Sequence, residues 1–448
     1  MTAPSQLPST PHRTSLAEAL EAREKAGRPV KVAIVGCGQM GTDLIVQIGL
    51  MPGIEVVAIA DGRPERVEAA CAIADGASER RPQVADDAAG LARLIAAGKL
   101  AVTREPELLC ASETVEVVID ATGSPNAGAA VALTAIAARK HVVMMNVEAD
   151  VTAGAYLAAR AAQAGVVYTV GAGDEPSSTF ELINFVRALG YPVVAAGKGK
   201  NNAFNVDAVP SDYAEEARRR NMNPRMLVEF VDGSKTMVEM VAIANAAGLA
   251  PDVPGMHGPA APLDELHRYF CPKDEGGLLS RKGAVDFSIA PGVAPGVFVI
   301  AEMRHPRLRE RMNDLKLGEG PYYAFVRPYH LTSLEVPLSA AAAVLHGESH
   351  MRPRPVPSAE VGCLAKRDLE PGETLDKIGE YSYRGFSLTA ADAKARRALP
   401  IGLGFGARVT RPVRKGDLLT LDAVEPEAGT AILAARKAQD EMVAALGV

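Results

Sequence analysis

The clearest pattern in the chain is an apolar run that breaks into glycines and is followed by an amphipathic segment. The run Val30–Val35 breaks into residues 36–41 (GCGQMG), and a second apolar run, Ile54–Ala60, ends on the acid Asp61. An apolar strand, a tight turn, a helix and a second strand closing on a carboxylate form the βαβ unit that binds a dinucleotide. The alternative is a glycine-rich structural turn in an α/β domain that binds no nucleotide.

The glycines of this turn each have a physical reason. Gly36 allows the tight turn, Gly38 lets a pyrophosphate approach the backbone, and Gly41 lets the helix pack closely against the strand. The helix N-terminus adds free N–H groups for the phosphates. The residues expected to contact the cofactor, in this turn and at the ends of the later strands, are Gly36, Gly38, Gln39, Met40, Gly41, Asp61, Arg63, Ala121, Thr122, Gly123 and Asn146.

The alternation of apolar strands and helices continues to about residue 171. The further strands predicted here are Leu100–Thr103, Glu116–Asp120, His141–Asn146 and Val166–Val170, with helices at Pro64–Ala74 and Asp86–Ala97 and a polar insertion at 76–83. This order predicts a Rossmann-type, doubly wound parallel sheet over residues 30–171. An arm and a helix, Leu16–Ala26, fill residues 1–29.

The pattern changes over residues 172–345, which we predict to be an α+β catalytic and dimerisation domain. Helices are predicted at Pro176–Leu189 and near Asp212, where Glu215 completes a capping box. The predicted strands are Val193–Ala196, Leu227–Val231, Val285–Ile289 and Val297–Met303. Their period-two alternation predicts an antiparallel sheet with one covered face.

Residues 346–448 are predicted to be a small β-rich module. It begins with a Pro-rich connection, residues 346–360 (HGESHMRPRPVPSAE), and has turns at residues 371–372 and 415–416.

Composition narrows the classes of function. The 448 residues are 48% hydrophobic and 23% charged, with a net charge of −6, as in ordinary globular proteins. No basic stripe indicates a nucleic-acid partner, and no apolar run has the roughly 20 residues of a membrane span. The five cysteines are scattered without metal-ligand spacing, which predicts no metal motif and a cytoplasmic protein.

A lysine- and amide-rich strand end is the strongest candidate for chemistry outside the nucleotide unit. Lys198, Lys200 and Asn201 lie in residues 197–202 (GKGKNN), directly after an apolar strand. An ammonium there polarises a substrate oxygen or binds a phosphate, and Asn201 orients the substrate. The alternative is a charged surface turn.

Carboxylates complete the candidate set. Asp174 and Glu175 follow the last Rossmann strand, and for these two residues we weigh helix capping equally with substrate contact. Glu239 lies in an apolar helical segment, either facing solvent or as a buried functional acid. Glu148 follows Asn146 at a strand end, and His330 is the histidine to test.

The preference between NAD and NADP stays open on local grounds. Asp61 suits a ribose 2′-hydroxyl, which favours NAD, whereas Arg63 and Arg66 suit a 2′-phosphate, which favours NADP.

The order of motifs resembles a known family. GCGQMG, ATGSP, VMMNVEAD, VGAGDEPSSTFELINFVRALG, GKGKNN and FVDGSKTMVEMVAIAN are followed by a SAF-like C-terminal module. The chain resembles the homoserine-dehydrogenase-like oxidoreductases with a SAF domain, and most closely the 1-deoxy-D-xylulose 5-phosphate reductoisomerase-like (DRL) group, over residues of about 16–430.

The resemblance implies an NADP-dependent, homo-oligomeric oxidoreductase whose active site lies between the first two domains. The group is best known for converting 1-deoxy-D-xylulose 5-phosphate to 2-C-methyl-D-erythritol 4-phosphate. Two features depart from related families. Asn146 is followed by Val147 and Glu148, where homoserine dehydrogenases place a lysine, and the acidic metal pattern of ordinary reductoisomerases is not recognisable. The need for a divalent cation therefore stays open.

Two other functions fit the sequence. One is a dehydrogenase or oxidoisomerase of another polyol or sugar acid, and the other is a non-catalytic sensor that binds NADP.

Overall fold

The first half of the chain folds around one parallel sheet. This computed structural model describes residues 14–74, 81–202 and 204–447. Within them, seven strands pair in the order β3-β4-β2-β1-β5-β6-β7. The strands are β1 (Val30–Val35), β2 (Ile54–Ala60), β3 (Pro82–Val84), β4 (Leu100–Thr103), β5 (Val117–Asp120), β6 (His141–Met144) and β7 (Tyr168–Val170). The helices are α1 (Leu16–Lys25), α2 (Gln39–Gly49), α3 (Pro64–Ile73), α4 (Ala88–Ala96), α5 (Pro106–Ala111), α6 (Pro125–Ala137) and α7 (Val147–Ala164).

The strand order places the ligand crevice beside β1. The chain builds the sheet outward from β1 in one direction through β2 and in the other through β5, so the switch point lies between β1 and β5. Ligands of doubly wound sheets bind at the carboxyl ends of the strands on either side of that point. The Rossmann prediction is confirmed, and the glycine turn follows β1 at this position.

Two short elements of this half were not predicted, namely β3 and α5. The polar insertion predicted at residues 76–83 and the arm of residues 1–15 lie mostly outside the described residues. Helix α1 begins where predicted because Ser15 and Glu18 form a reciprocal capping box.

The second part of the chain folds around a mixed sheet with the order β12-β11-β8-β10-β9. Its strands are β8 (Val193–Gly199), β9 (Ala250–Pro251), β10 (Ala284–Ser288), β11 (Val297–Glu302) and β12 (Tyr322–Arg327). Its helices are α8 (Glu175–Ala188), α9 (Ala214–Arg219), α10 (Pro224–Val231), α11 (Ser234–Ala247), α12 (Leu266–Tyr269), α13 (Pro306–Asp314) and α14 (Val336–His346). Strand β8 pairs parallel with β10 and antiparallel with β11.

The prediction of an antiparallel sheet with one covered face was wrong. Every residue of β8, β10 and β11 is buried. Along β11, Val299 packs with α8 and α11, whereas its neighbours Phe298 and Ile300 pack with Leu266 and Phe270 on the opposite side. Because both faces are covered, the apolar positions do not alternate with solvent-facing ones.

Two further predictions were wrong in this part. The segment Leu227–Val231 belongs to helix α10, which begins at Pro224 after Asn223 caps it by accepting from the N–H of Arg225. The capping box at Asp212 does not form. Helix α9 begins at Ala214 without a side-chain cap, and Glu215 instead pairs with an arginine one turn later.

The third part is a small β-rich unit that packs back onto the first half. Its elements are β13 (Ala359–Ala365), β14 (Tyr383–Thr389), β15 (Arg408–Val409), β16 (Val424–Glu425), α15 (Ala390–Ala395) and α16 (Ala431–Ala445). The Pro-rich connection before it is not wholly exposed, because Met351 is buried and pairs with Val170 at the edge of the first sheet. Helix α16 lies along α6 and α7.

No helix among residues 14–74, 81–202 and 204–447 is long and apolar enough to cross a membrane.

Contacts with the third part hold helix α11 in place. The Lys366 ammonium lies 2.6 Å from the Asp232 carboxylate, two residues before α11, and both side chains are almost fully buried. Ser234 accepts from the N–H of Gly385, and Asn245 accepts from the N–H groups of residues 358 and 359. Asn245 is therefore a structural side chain.

The Lys366–Asp232 pair gives a first prediction. Lys366→Met leaves a buried carboxylate without its counter-charge, so we expect the free energy of unfolding to fall by about 3–5 kcal/mol in chemical denaturation. Lys415→Met is the matched control. Its pair with Asp207 is more than half exposed on both sides and is expected to contribute less than about 1 kcal/mol. Equal losses in the two variants would contradict the assignment.

Candidate active site

The turn after β1 requires glycine at its first and last positions. Gly36 has φ +96°, and a Cβ on it would lie 2.6 Å from the carbonyl oxygen of Ala121, in the turn after β5. A Cβ on Gly41 would lie 2.3 Å from the carbonyl oxygen of Gly36. Both contacts are with backbone, so no side-chain movement relieves them. Gly36 therefore allows the turns after β1 and β5 to pack closely, and Gly41 allows α2 to pack against the turn that precedes it.

The middle glycine of the turn has a different environment. A Cβ on Gly38 would meet no protein atom within 4 Å, so the packing of the turn does not require glycine there. No side chain caps α2, which begins at Gln39, and Gln39 and Met40 are exposed. An uncapped helix N-terminus beside a residue without a side chain fits the pyrophosphate of a dinucleotide.

The acid at the end of β2 is bonded to this turn. Asp61 Oδ2 accepts from the N–H of Cys37, and Oδ1 accepts from the N–H of Arg63, both at 2.8 Å. Each oxygen keeps a lone pair for a ribose hydroxyl. The Arg63 side chain is exposed at the start of α3, where it is available to a 2′-phosphate. The geometry therefore fits both NAD and NADP.

The ends of β5 and β6 bring two buried polar side chains together under α6. Asp120 Oδ2 and Asn146 Nδ2 lie 2.7 and 3.1 Å from the point that a Cβ on Gly128 would occupy, and neither atom has a hydrogen-bond partner among the described residues. Asn146 caps α7 through its other atom. Burial raises the pKa of Asp120 to about 7, although the N–H of Thr122 donates to it. The turn that contains Ala121 and Gly123 directly follows Asp120 along the chain.

A buried ammonium lies at the end of β8. Lys198 Nζ lies 2.7 Å from Glu175 Oε1, and it also donates to Glu239. The flanking glycines are needed for close contacts: a Cβ on Gly197 or Gly199 would overlap the backbone of residues 286 and 293–294. Since an ammonium has three N–H donors and two reach carboxylates, the third has no partner among the described residues.

The charges of this cluster are strongly coupled. Burial disfavours the Lys198 ammonium, but Glu175 and Glu239 outweigh burial and raise its pKa above the usual range. The pKa of Glu175 is lowered, because Lys198 and His330 outweigh its burial. Burial and repulsion by Glu175 raise the pKa of Glu239 to about 7. At neutral pH, Lys198 is therefore protonated, whereas burial and Glu175 disfavour the ionised form of Glu239.

Two further groups line the same cluster. Asp174 stands at the N-cap position of α8, but its side chain makes no capping bond there. Burial, followed by repulsion from Glu175, raises the pKa of Asp174 well above its usual value. Lys235 lies 3.2 Å from Glu148, in the first turn of α7 in the first half. An ammonium from α11 thus reaches the strand end where homoserine dehydrogenases place their lysine.

His330 lies at the outer edge of the cluster. Its Nε2 atom lies 3.4 Å from Glu175 Oε1, and its Nδ1 atom lies 2.7 Å from the carbonyl oxygen of Pro295.

Three of the five residues expected to be catalytic therefore lie in one cluster: Asp174, Lys198 and Glu239. The other two do not bond to it. Lys200 donates to the carbonyl oxygens of Asn202 and Phe230, and burial lowers its pKa to about 8. Asn201 is exposed and accepts only from Asn202 among the described residues.

Sequence reasoning left Glu175 open between helix capping and substrate contact and did not place it among the five residues expected to be catalytic. In the structure Glu175 bonds to Lys198. Which of two adjacent acids faces the strand end depends on where α8 begins, and that start shifts by one residue from the predicted Pro176. Lys235 is not among the residues expected to be catalytic, because nothing in its local sequence indicates that it reaches Glu148.

Two family descriptions match the chain. Residues 36–170 match the homoserine dehydrogenase NAD-binding domain, and residues 173–336 match the catalytic domain of oxidoreductase DRL. The first match confirms a nicotinamide dinucleotide as the cofactor. Together they support an oxidoreductase of the DRL type, as the resemblance implied, and neither match extends to the third part of the chain.

Solved structures show weaker likenesses. A "probable dehydrogenase" from Thermotoga maritima is 15% identical, with 71% of this chain and 90% of that chain covered and a TM-score of 0.41. Myo-inositol dehydrogenase from Lactobacillus casei, in complex with NAD(H) and myo-inositol, is 15% identical, with 68% and 75% covered and a TM-score of 0.36. Likenesses of this strength carry no argument about function. No curated protein matches the chain.

Gly38 and Gly41 differ in what an added side chain would meet, and this difference gives a second prediction. Gly38→Ala places a methyl group where the pyrophosphate fits, so we expect the Kd for NADPH to rise at least tenfold, roughly 1.4 kcal/mol, with an unchanged Tm. Gly41→Ala overlaps backbone and is expected to lower the Tm. Calorimetric titration and thermal unfolding of both variants measure these effects. An unchanged Kd in Gly38→Ala would contradict the assignment.

The buried Asp120 gives a third prediction. Its pKa is raised from 3.8 to about 7, so the folded state binds the proton more tightly than the unfolded chain, and its contribution to stability falls between about pH 4 and pH 7. Asp120→Asn removes this loss. Relative to the wild type, its free energy of unfolding should rise by up to about 4 kcal/mol across that range. Asp314→Asn, which removes an exposed carboxylate, controls for the substitution. A pH-independent difference would contradict the prediction.

Proposed function

We propose that this NAD(P)-dependent oxidoreductase uses Lys198 as the proton donor that accompanies hydride transfer between NADP(H) and an oxygen-bearing carbon of a small polyhydroxylated substrate. The first substrate to test is 1-deoxy-D-xylulose 5-phosphate, whose reduction follows an isomerisation in the DRL group. The observation that carries the proposal is a protonated, buried ammonium with one N–H donor left for a ligand. The resemblance, rather than the geometry at Asp61, favours NADP over NAD.

The cofactor side of the proposal draws on the turns after β1 and β5. Gly36, Gly38 and the start of α2 would hold the pyrophosphate, and Asp61 and Arg63 would meet the adenosine ribose. Thr122 and Gly123 would border the nicotinamide. The bound nicotinamide supplies or accepts the hydride, and the residues of this chain supply the remaining steps.

Lys198 is suited to donate rather than to accept a proton. Its pKa is raised by Glu175 and Glu239, so it remains an ammonium at neutral pH. A carbonyl oxygen at the third N–H would be polarised, and it would receive the proton as it becomes a hydroxyl. This supports reduction as the direction for which the site is prepared.

The neighbouring carboxyl groups would orient the hydroxyls of the substrate. Burial raises the pKa of both Glu239 and Asp174, which favours the protonated form of each more than in an exposed carboxyl group. Such groups accept from some hydroxyls and donate to others. A substrate with several adjacent oxygens uses both abilities, which supports a hydroxy-ketone or sugar acid over a simple aldehyde.

The phosphate of the proposed substrate needs a cation away from these acids. Lys200, at the end of β8, is the candidate, because its contacts are carbonyl oxygens rather than carboxylates. The acid-rich cluster itself favours the alternative function, a dehydrogenase or oxidoisomerase of an unphosphorylated polyol or sugar acid. The two functions differ in whether Lys200 contributes to substrate affinity.

A divalent cation does not fit the cluster as it is folded. Asp174, Glu175 and Glu239 each offer an oxygen within 4.8 Å of the others, a spacing that suits a metal ion. The Lys198 ammonium, however, already bonds two of these carboxylates. A metal ion there would compete with Lys198 for the same groups. The homo-oligomer that the resemblance implies does not depend on whether a metal ion binds.

The function is tested by following NADPH absorbance with a panel of substrates. The panel contains 1-deoxy-D-xylulose 5-phosphate, its dephosphorylated form, and four- and five-carbon sugar acids with NADP⁺ for the reverse direction. Rapid turnover of the phosphorylated ketose supports the proposal, and turnover only of unphosphorylated acids supports the alternative. Binding of NADPH without turnover of any member would contradict both.

Lys198→Met is the fourth prediction. It keeps the length of the side chain but removes the donor, so we expect kcat to fall by a factor of at least about 100 with an unchanged Kd for NADPH. In Lys200→Met we expect a higher KM for the phosphorylated ketose and little change in kcat. Lys282→Met, at the opposite end of the sheet beside Glu302, is the matched control. Full turnover in folded Lys198→Met would overturn the proposal.

A further inference from the structure

We propose that His330 is the proton relay between the buried Lys198–Glu175 pair and solvent. This inference rests on the proposed function, since each reduction adds a hydride to the carbon and a proton to the oxygen. Lys198 has only one proton to give before it must be recharged. Water does not reach it freely, because the Lys198 and Glu239 side chains are almost fully buried. The site therefore needs a group that passes protons inward.

One oxygen atom joins the inner and outer groups. Glu175 Oε1 lies 2.7 Å from Lys198 Nζ and 3.4 Å from His330 Nε2. His330 follows the exposed residues Pro328 and Tyr329 in a surface loop, and its own side chain is 13% exposed. The Glu175 side chain is equally exposed, and its Oε1 atom contacts both Lys198 Nζ and His330 Nε2, so His330 and Glu175 together connect Lys198 to solvent.

The second ring nitrogen fixes where the hydrogen atoms of His330 lie. Nδ1 is 2.7 Å from the carbonyl oxygen of Pro295, which only accepts, so Nδ1 carries a hydrogen and donates it. Nε2 then faces Glu175 Oε1, which is also an acceptor when ionised. The contact is favourable only when a proton lies between these two atoms. A proton on Nε2 would therefore lie beside the carboxylate that bonds Lys198, at an ion-pair distance of 3.4 Å.

The transfer balances without a further reactant. In reduction, an N–H bond of Lys198 breaks as the O–H bond of the product forms. Lys198 regains its proton from Glu175 Oε1, Glu175 takes one from His330 Nε2, and His330 takes one from water. Solvent loses one proton and the substrate oxygen gains one. Oxidation runs through the same atoms in the opposite direction.

The kinetic test uses His330→Ala and His330→Gln with whichever panel substrate the wild type turns over. We expect kcat to fall at least tenfold in both variants, with an unchanged Kd for NADPH and an unchanged KM. Added imidazole should restore the rate of His330→Ala, because a free base enters the space left by the ring. It should not restore His330→Gln, whose amide fills that space and donates a hydrogen bond but carries no proton across.

His257→Ala is the matched control. His257 also faces a carboxylate, with Nε2 2.9 Å from Asp252, but it lies outside the cluster. It should keep the wild-type kcat. A wild-type kcat in His330→Gln would overturn the relay and leave a hydrogen bond as the role of His330. If His330→Ala does not fold, the rate of His330→Gln decides in the same way.

A measurement without substrate separates failure of the relay from failure of the proposed function. In protein labelled with ¹⁵N-histidine, the signal lost in His330→Gln identifies His330. We expect its Nδ1 to be protonated and its Nε2 shift to change in Glu175→Gln. If the wild type turns over no panel substrate, the proposed function fails while this result still stands. An unprotonated Nδ1, or an Nε2 shift unaffected by Glu175→Gln, would overturn the relay.

Discussion

The candidate active site depends on keeping the Lys198 ammonium charged inside the protein. Removing such a group from water costs several kcal/mol, which only well-placed partners offset. Glu175 from α8 and Glu239 from α11 are those partners, so the attraction holds β8, α8 and α11 within hydrogen-bond distance of one point. Burial, followed by repulsion from Glu175 and Glu239, raises the pKa of Asp174 well above its usual value. The positions of β8, α8 and α11 and the protonation of the cluster therefore depend on the same charges.

Helix α11 carries half of this arrangement and is held from a distance. It is buried on all sides, so its position is set by neighbours in every direction. The Asp232–Lys366 pair fixes the approach to it, and Asn245 binds the backbone that leads into β13 near its other end. Glu239 lies between these two anchors. The β-rich part thus orients a carboxyl group that it does not touch.

The first half could be predicted from the sequence because its signals are local. The apolar run before Gly36 and the acid after the next run specify a βαβ unit within about thirty residues. The segment Leu227–Val231 could not be assigned in this way, since a short apolar run fits a buried strand or one face of a helix. The cap at Asn223 and the proline after it were the deciding signals.

The candidate site was predictable only in part, for a related reason. Lys198 and Glu239 attract attention because each lies in or directly after an apolar stretch, and Asp174 because it follows the last Rossmann strand. Glu175 looks like a helix-start acid, and His330, although singled out for testing, stands alone in its segment. Neither residue shows in the sequence what it contacts. Only the fold brings His330 against Glu175, and no local pattern encodes contacts over such separations.

The return of α16 to the first half affects how the chain is made. Gln439 accepts from the N–H of Tyr156 and donates to the carbonyl oxygen of Thr152, a contact between positions 283 residues apart. At about 5–20 residues per second, a ribosome needs roughly 15–60 seconds to synthesise the intervening chain. During that time the surface of α6 and α7 that α16 later covers is exposed. The nascent nucleotide-binding half therefore has a period in which chaperones, or other nascent chains, compete with α16 for that surface.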